Sequence, residues 1–250
     1  MKLIILGSYG PYPPAGGACS GYLLEHMGFY VLLDCGNGVL SRLQQFISPN
    51  KLSAIIVSHL HSDHISDLFI LRYALQLELE QGVRDSPLQL ISPDQPSDEY
   101  FRLPYKNVYQ LETITEKERF TIGPFQFSFL KTIHPVCCYA IAVFVEGIKI
   151  LVYSSDTEYF PELADFARGV PMFLCEANFL TEDLQKGARN HLSAFQAACL
   201  ARDAGAEKLL LTHLPPFRNP QSYLDEALIA FKQVKTAEEG KVYFIESSDE

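Results

Sequence analysis

Apolar residues along the chain gather in short runs bounded by Gly, Pro, Asn, Asp and Ser. Between these runs lie stretches where apolar residues recur three or four positions apart. The first pattern predicts strands at Lys2–Leu6, Gly21–Glu25, Phe29–Asp34, Ala54–Val57, Leu88–Ile91, Phe125–Leu130, Ala140–Val145, Lys149–Tyr153, Met172–Cys175, Lys208–Leu211 and Val242–Ile245. The second predicts helices over Val39–Phe46, Ile65–Glu80, Phe160–Ala167, Ala194–Ala204 and Ser222–Val234. Gly205 stands where a left-handed cap would end its helix. Strands alternate with helices, and no linker or low-complexity segment divides them. The expectation is one α/β domain over residues 1–250. The Gly- and Pro-rich stretch "GSYGPYPPAGGACSG" lacks the GK[ST] ending of a phosphate-cradling loop and reads as a surface loop overhanging a site. The tail "ESSDE" reads as a frayed, solvated end.

Four apolar runs deliver a metal-binding residue type at their C-terminal ends. "AIIVSHL" and "KLLLTHL" end alike in hydroxyl, histidine and leucine, giving His59 and His213; "KILVYSSD" ends in Asp156 and "FSFLKTIH" in His134. In layered α/β folds, strand C-termini are where sites form. The first run continues into "HLHSDH", which holds three of the chain's seven histidines. His59 and His61, two apart in an extended segment, point the same way. Asp63 and His64 follow too closely for helical i, i+4 ligation, so they belong on a turn that curls under the site before a helix starting at Ile65. A lone histidine such as His26, beside a turn, is more plainly a satisfied surface or core residue. Imidazoles and carboxylates gathered this tightly suit a borderline divalent cation, zinc first, with manganese or iron as alternatives. His59, His61, Asp63, His64, His134, Asp156 and His213 are enough for two ions sharing a water, whose pKa falls from about 16 to about 7 on coordination.

The formal net charge is −10. A protein that grips a long nucleic acid through phosphate neutralisation carries a basic surface, and this chain has no Lys/Arg run. No apolar run approaches bilayer length, and "KLIILG" is too short for a signal peptide, so no membrane association and a cytoplasmic location are expected. The six cysteines show no CxxC pair and read as reduced, mostly buried thiols.

"SHLHSDHISD", with His134, Asp156 and His213 downstream, resembles the metallo-β-lactamase-fold hydrolases, and the likeness covers nearly the whole chain. "VLLDCGNG" fits too, with Asp34 in the position of a buried aspartate that supports the metal loop. The resemblance implies an αββα four-layer sandwich with the site at one edge of its two sheets. It also implies one ion on His59, His61 and His134, a second on Asp63, His64 and His213, and Asp156 bridging, with Asp63 catalytic as well.

The fold hosts many hydrolases and does not decide the substrate. "FLCEANF" and "ARNHLSAFQAACLARDAGAEKLLLTHL" resemble the ribonuclease Z branch. That resemblance implies metal-bound hydroxide attacking phosphorus, with Glu176 and His191 protonating the leaving group. A departing alkoxide needs a proton, and a histidine held by a carboxylate can give it. The plainer reading leaves Glu176 as a surface acid and His191 as the residue before a helix capped by Ser193. The chain also departs from that branch. Cys175 stands where a histidine belongs, and "HLPPF" replaces a polar, arginine-containing run. Only 21 residues separate His134 from Asp156, which read as two paired strands turning at Gly147, with no room for a tRNA-gripping arm. The substrate expected is therefore a small or cyclic nucleotide or short RNA, and the resemblance implies a homodimer. A lactonase or thioester hydrolase would need the metals but no leaving-group pair, and a non-catalytic metal-binding protein could have lost ligands. Tyr9, Tyr12 and Cys137 could reach the site, with packing the plainer role for each.

Overall fold

The structure is a computed structural model and describes residues 1–117 and 119–246. The tail reading therefore falls, beyond Glu246, outside the described residues. The first half forms β1 (Lys2–Gly7), β2 (Gly21–His26), β3 (Phe29–Leu33), α1 (Val39–Leu43), β4 (Ala54–Ile56), α2 (Ser62–Ile65), α3 (Leu68–Glu80), β5 (Leu88–Ser92), α4 (Ser97–Tyr100) and β6 (Tyr109–Thr113). The second half forms β7 (Phe120–Ile122), β8 (Phe125–Lys131), β9 (Tyr139–Val145), β10 (Ile148–Tyr153), α5 (Glu162–Phe166), β11 (Met172–Glu176), α6 (Thr181–Gln185), α7 (Ala194–Ala204), β12 (Lys208–Thr212), α8 (Pro220–Ala227), β13 (Val234–Thr236) and β14 (Val242–Phe244). Two seven-stranded sheets result, ordered β14-β1-β2-β3-β4-β5-β6 and β13-β12-β11-β10-β9-β8-β7.

Burial explains the stacking. On β8, Phe125, Phe127 and Phe129 alternate with half-exposed residues and enter the layer between the sheets, opposite Leu3, Ile5 and Leu24. Each such buried side chain contributes about 1.5–3 kcal/mol. β11 is apolar without alternation until Glu176 because both its faces are covered. Met172 and Leu174 enter the inter-sheet layer, while Phe173 and Cys175 face α7 on the outside. A third cluster seals the other outer face, with Leu43, Leu68, Leu71 and Leu75 over Leu32 and Ile55. Helix, sheet, sheet and helix layers follow, the αββα sandwich expected. Among the described residues no helix is long and apolar enough to cross a membrane.

The hairpin between His134 and Asp156 is as read. β9 and β10 pair antiparallel, and Glu146 and Gly147 both take positive φ in the turn. Three short edge strands, β6, β7 and β13, were not expected from the sequence. The helix predicted over Ser222–Val234 instead starts at Pro220, capped by Asn219, and ends at Ala227. Val234 pairs with Leu209 of β12, so sheet pairing overrides the helical spacing there. The helix predicted over Ile65–Glu80 is split. The amide of Asp67 bonds to Cys35 O (3.0 Å) rather than up the helix, and its carboxylate accepts Leu40 N–H (2.8 Å). Asp63 and His64 therefore do lie on a turn ahead of the long helix, but that turn is helical, α2, it includes Ile65, and the long helix starts at Leu68.

Candidate metal centre

β4 runs parallel to β3 and β5, and β10, β11 and β12 run parallel in the other sheet. The C-terminal ends of β4, β8, β10 and β12 therefore bring His59, His61, His134, Asp156 and His213 to one edge, and α2 adds Asp63 and His64. All seven assemble. Ligand-capable atoms of His59, His61, His134 and Asp156 lie within 4.8 Å of one another, as do those of Asp63, His64 and His213. His61 Nδ1 is 3.0 Å from His59 Nε2 and 3.1 Å from His134 Nε2. Asp63 Oδ2 is 3.1 Å from His213 Nε2 and 3.7 Å from His64 Nε2. Asp156 faces both groups: Oδ2 is 3.7 Å from His59 Nε2 and 3.5 Å from His213 Nε2, and Oδ1 is 3.5 Å from His64 Nε2. These spacings are close to the edge, about 3.3 Å, of a tetrahedron with metal–nitrogen bonds of ordinary length.

One feature of the donor set tests whether a cation fits. His64 Nε2 and Asp156 Oδ1 are buried, aimed at each other and without a hydrogen-bond partner. Leaving such atoms unsatisfied is costly, and a cation between them would satisfy both. The electrostatics agree. Burial pushes His59 well below the usual histidine pKa, and it lowers His61 and His134, so their lone pairs stay available. Burial opposes a charge on His64 too, but Asp156, Asp34 and Asp63 outweigh it and hold its pKa well above the usual value. Burial likewise opposes ionisation of Asp156, yet His213 and His64 hold its pKa well below the carboxylate range. Positive charge is thus favoured at His64, among the three carboxylates, and disfavoured on the rings of His59, His61 and His134.

Residues behind the cluster fix its rings. Asp34, fully buried with φ 56, accepts from Ser58 N–H (2.7 Å), Ser58 Oγ (2.9 Å), His64 Nδ1 (2.7 Å) and the Tyr153 hydroxyl (2.9 Å). It therefore ties the His59 loop, α2 and the second sheet together. Asp34, Ser155, Asn190 and His213 all take positive φ, so backbone strain collects around the site. Gly10 lies against His213, and a Cβ there would come 2.0 Å from its Nε2. The Gly/Pro-rich loop thus does overhang the site, through Gly10. Tyr9 is held by bridges to Cys19 and Leu214, Tyr12 is exposed, and Cys175 is buried in the outer core. All six cysteines are free.

A family model, the β-lactamase superfamily domain, matches residues 30–214. The chain belongs to the metallo-β-lactamase superfamily. It is 35% identical to the probable metallo-hydrolase YhfI of Bacillus subtilis over 97% of this chain and 99% of that protein. The crystal structure of YhfI superimposes with a TM-score of 0.92, at 34% identity, covering 97% of this chain and 98% of that one. Ribonuclease Z of Lachnoclostridium phytofermentans is 22% identical over 98% of each chain. The short form of human tRNase Z shares the fold, with a TM-score of 0.78 at 20% identity, covering 98% of this chain and 100% of that one. The protein is a metallo-hydrolase of this fold, distantly related to ribonuclease Z.

In this superfamily member the Glu176–His191 pair also forms. His191 Nδ1 lies 2.9 Å from Glu176 Oε1, beside the cluster and 3.9 Å from Asp156 Oδ2. Glu176 is fully buried and held by Thr157 N–H (2.8 Å) and Asn178 N–H (3.2 Å). Burial opposes the charge on His191, but Glu176, helped by Asp156 and Asp63, raises its pKa to about 9. Sequence reasoning missed Gly10, Tyr153 and Asn178. For Asn178 the signal was its place in "CEANF".

Proposed function

We propose that the protein is a dinuclear phosphodiester hydrolase of the ribonuclease Z-like branch, acting on a small or cyclic nucleotide or short RNA. The observation that carries this reading is the hydrogen bond between buried Glu176 and His191 at the edge of the histidine–aspartate cluster. His59, His61 and His134 would hold one divalent ion, Asp63, His64 and His213 a second, and Asp156 both. Zinc suits this donor set best, with manganese or iron as alternatives. The bound ions would supply Lewis acidity and an activated water. With Nδ1–H donated to Glu176, His191 keeps Nε2–H for the leaving oxygen, and Glu176 stabilises the imidazolium. Asp63 has its Oδ2 engaged by His213, and its carboxylate is the group that receives a proton on the other side of the reaction.

The phosphodiester class is supported by the relatives named ribonuclease Z and tRNase Z. A small substrate is supported by the tight β9–β10 hairpin, where an arm would be inserted, and by the charge of −10. We read the assembly as a homodimer. α3 buries Leu68, Leu71 and Leu75 yet exposes Ile70, Tyr73 and Leu77, which leaves a second apolar stripe for a partner copy. A cytoplasmic location is supported by the six free thiols.

The test is metal analysis of the purified protein alongside turnover of pre-tRNA, short RNA, cyclic nucleotides and acyl esters. The expected result is about two transition-metal ions per chain and turnover of small diesters ahead of pre-tRNA. Acyl-ester hydrolysis without phosphodiester hydrolysis would overturn the substrate class. Absence of bound metal, with no gain on adding zinc or manganese, would overturn the metal reading.

A further inference from the structure

Three loops meet behind His134, and Glu158 sits at their junction. Its backbone N–H donates to Ile133 O (2.8 Å), one residue before His134. Its carboxylate Oε1 accepts Asn190 N–H (2.8 Å), one residue before His191. Asn190 O in turn accepts from His134 Nδ1 (3.1 Å). On the far side, Glu176 Oε1 accepts both Thr157 N–H (2.8 Å) and His191 Nδ1–H (2.9 Å). Two hydrogen-bonded rings are thus fused at Glu158 and Asn190. One runs through His134 and Ile133, the other through His191, Glu176 and Thr157.

We propose that Glu158 is a positioning residue that orients His134 and His191 together by clamping Asn190. The inference rests on the metal reading of the cluster. Asn190 is exposed, lies in a segment without regular secondary structure, and holds φ at 76. Asn enters the left-handed region more readily than most non-glycine residues, so the conformation itself is cheap, and what this exposed segment needs is a contact that fixes the Asn190 carbonyl in place. The Glu158 carboxylate supplies the hold. With Asn190 fixed, its carbonyl takes the Nδ1 proton of His134 and sets that ring's tautomer, leaving the Nε2 lone pair facing His61 and Asp156. The same clamp fixes where the chain enters His191. Partners behind a metal-binding histidine commonly change metal affinity or activity by about 10–100-fold.

The experiment uses Glu158→Ala and Glu158→Gln in the whole protein. Zinc dissociation constants for both ions are read by chelator competition, and kcat and KM on a phosphodiester are read alongside. Glu158→Ala is expected to weaken one ion by about 10–100-fold while the other changes little, and to lower kcat more than KM. Glu158→Gln retains an acceptor oxygen and is expected to recover most of both. If the Ala variant does not fold, Glu158→Asp, which withdraws the carboxylate by one methylene, is expected to weaken the same ion. Wild-type affinity for both ions with unchanged kcat overturns the proposal. Equal weakening of both ions with a lowered melting temperature does so as well, because that is a merely structural role. Failure of the wild-type protein to bind zinc would instead overturn the metal reading on which the proposal stands.

Discussion

At the scale of single residues, the candidate site was legible where chemistry shows in residue type. His59, His61, Asp63, His64, His134, Asp156 and His213 declare themselves because donor residues follow apolar strands, and they do converge. Residues that act by shape or by a long-range bond carry no such mark. Tyr153 reaches Asp34 across 119 residues of sequence, and Gly10 matters only because His213 packs on it. Gly10→Ala would push a methyl group into the His213 ring. The expected outcome is a loss of affinity for one of two ions by about 10–100-fold, checked by metal titration. Retention of both ions at wild-type affinity would show that the ring can shift at no cost. Tyr153→Phe removes one of the four donors on buried Asp34 and is expected to cost about 1–3 kcal/mol in denaturant unfolding.

At the scale of elements, long buried strands and the capped helix were legible, and short edge pieces were not. α7 was read to its last residue because its signals agree. Ser193 Oγ accepts Gln196 N–H, Gln196 Oε1 accepts Ser193 N–H, and Gly205 closes the helix with φ 63. Ser193→Ala should lower stability by about 1 kcal/mol, read from the shift of the unfolding midpoint at constant slope. β13 was hidden because Val234 continues the helical spacing of the residues before it, and only pairing with β12 tells the two apart. The break between α2 and α3 was hidden for a similar reason. The apolar spacing runs on, while the Cys35 carbonyl that captures the Asp67 amide lies far back in sequence.

At the scale of the molecule, the sandwich places two sheets so that their strand ends meet, and the meeting is bolted beneath the site. Tyr22 of the first sheet bonds Thr212 of the second (2.7 Å), Tyr153 of the second reaches Asp34 behind the first, and the two tyrosine rings lie 4.9 Å apart. Ions bound at the edge would join both sheets, so they should stabilise the whole fold. Removing them with a chelator should lower the melting temperature, and zinc should restore it in a concentration-dependent way, by about 2.7 kcal/mol per ion at one hundred times its dissociation constant. A melting temperature indifferent to chelator and zinc would contradict this.

The central claim is that His191, held by Glu176, gives the leaving group its proton. The most direct measurement is turnover by His191→Ala on two diesters, with metal content determined in the same samples. One is a nucleotide diester whose departing alkoxide needs a proton; the other is bis(p-nitrophenyl) phosphate, whose leaving group does not. The account predicts wild-type metal content, a fall of about 10²–10⁴-fold on the nucleotide diester and a much smaller fall on the aryl diester. Equal losses on both substrates, or no loss on the nucleotide diester, would contradict it.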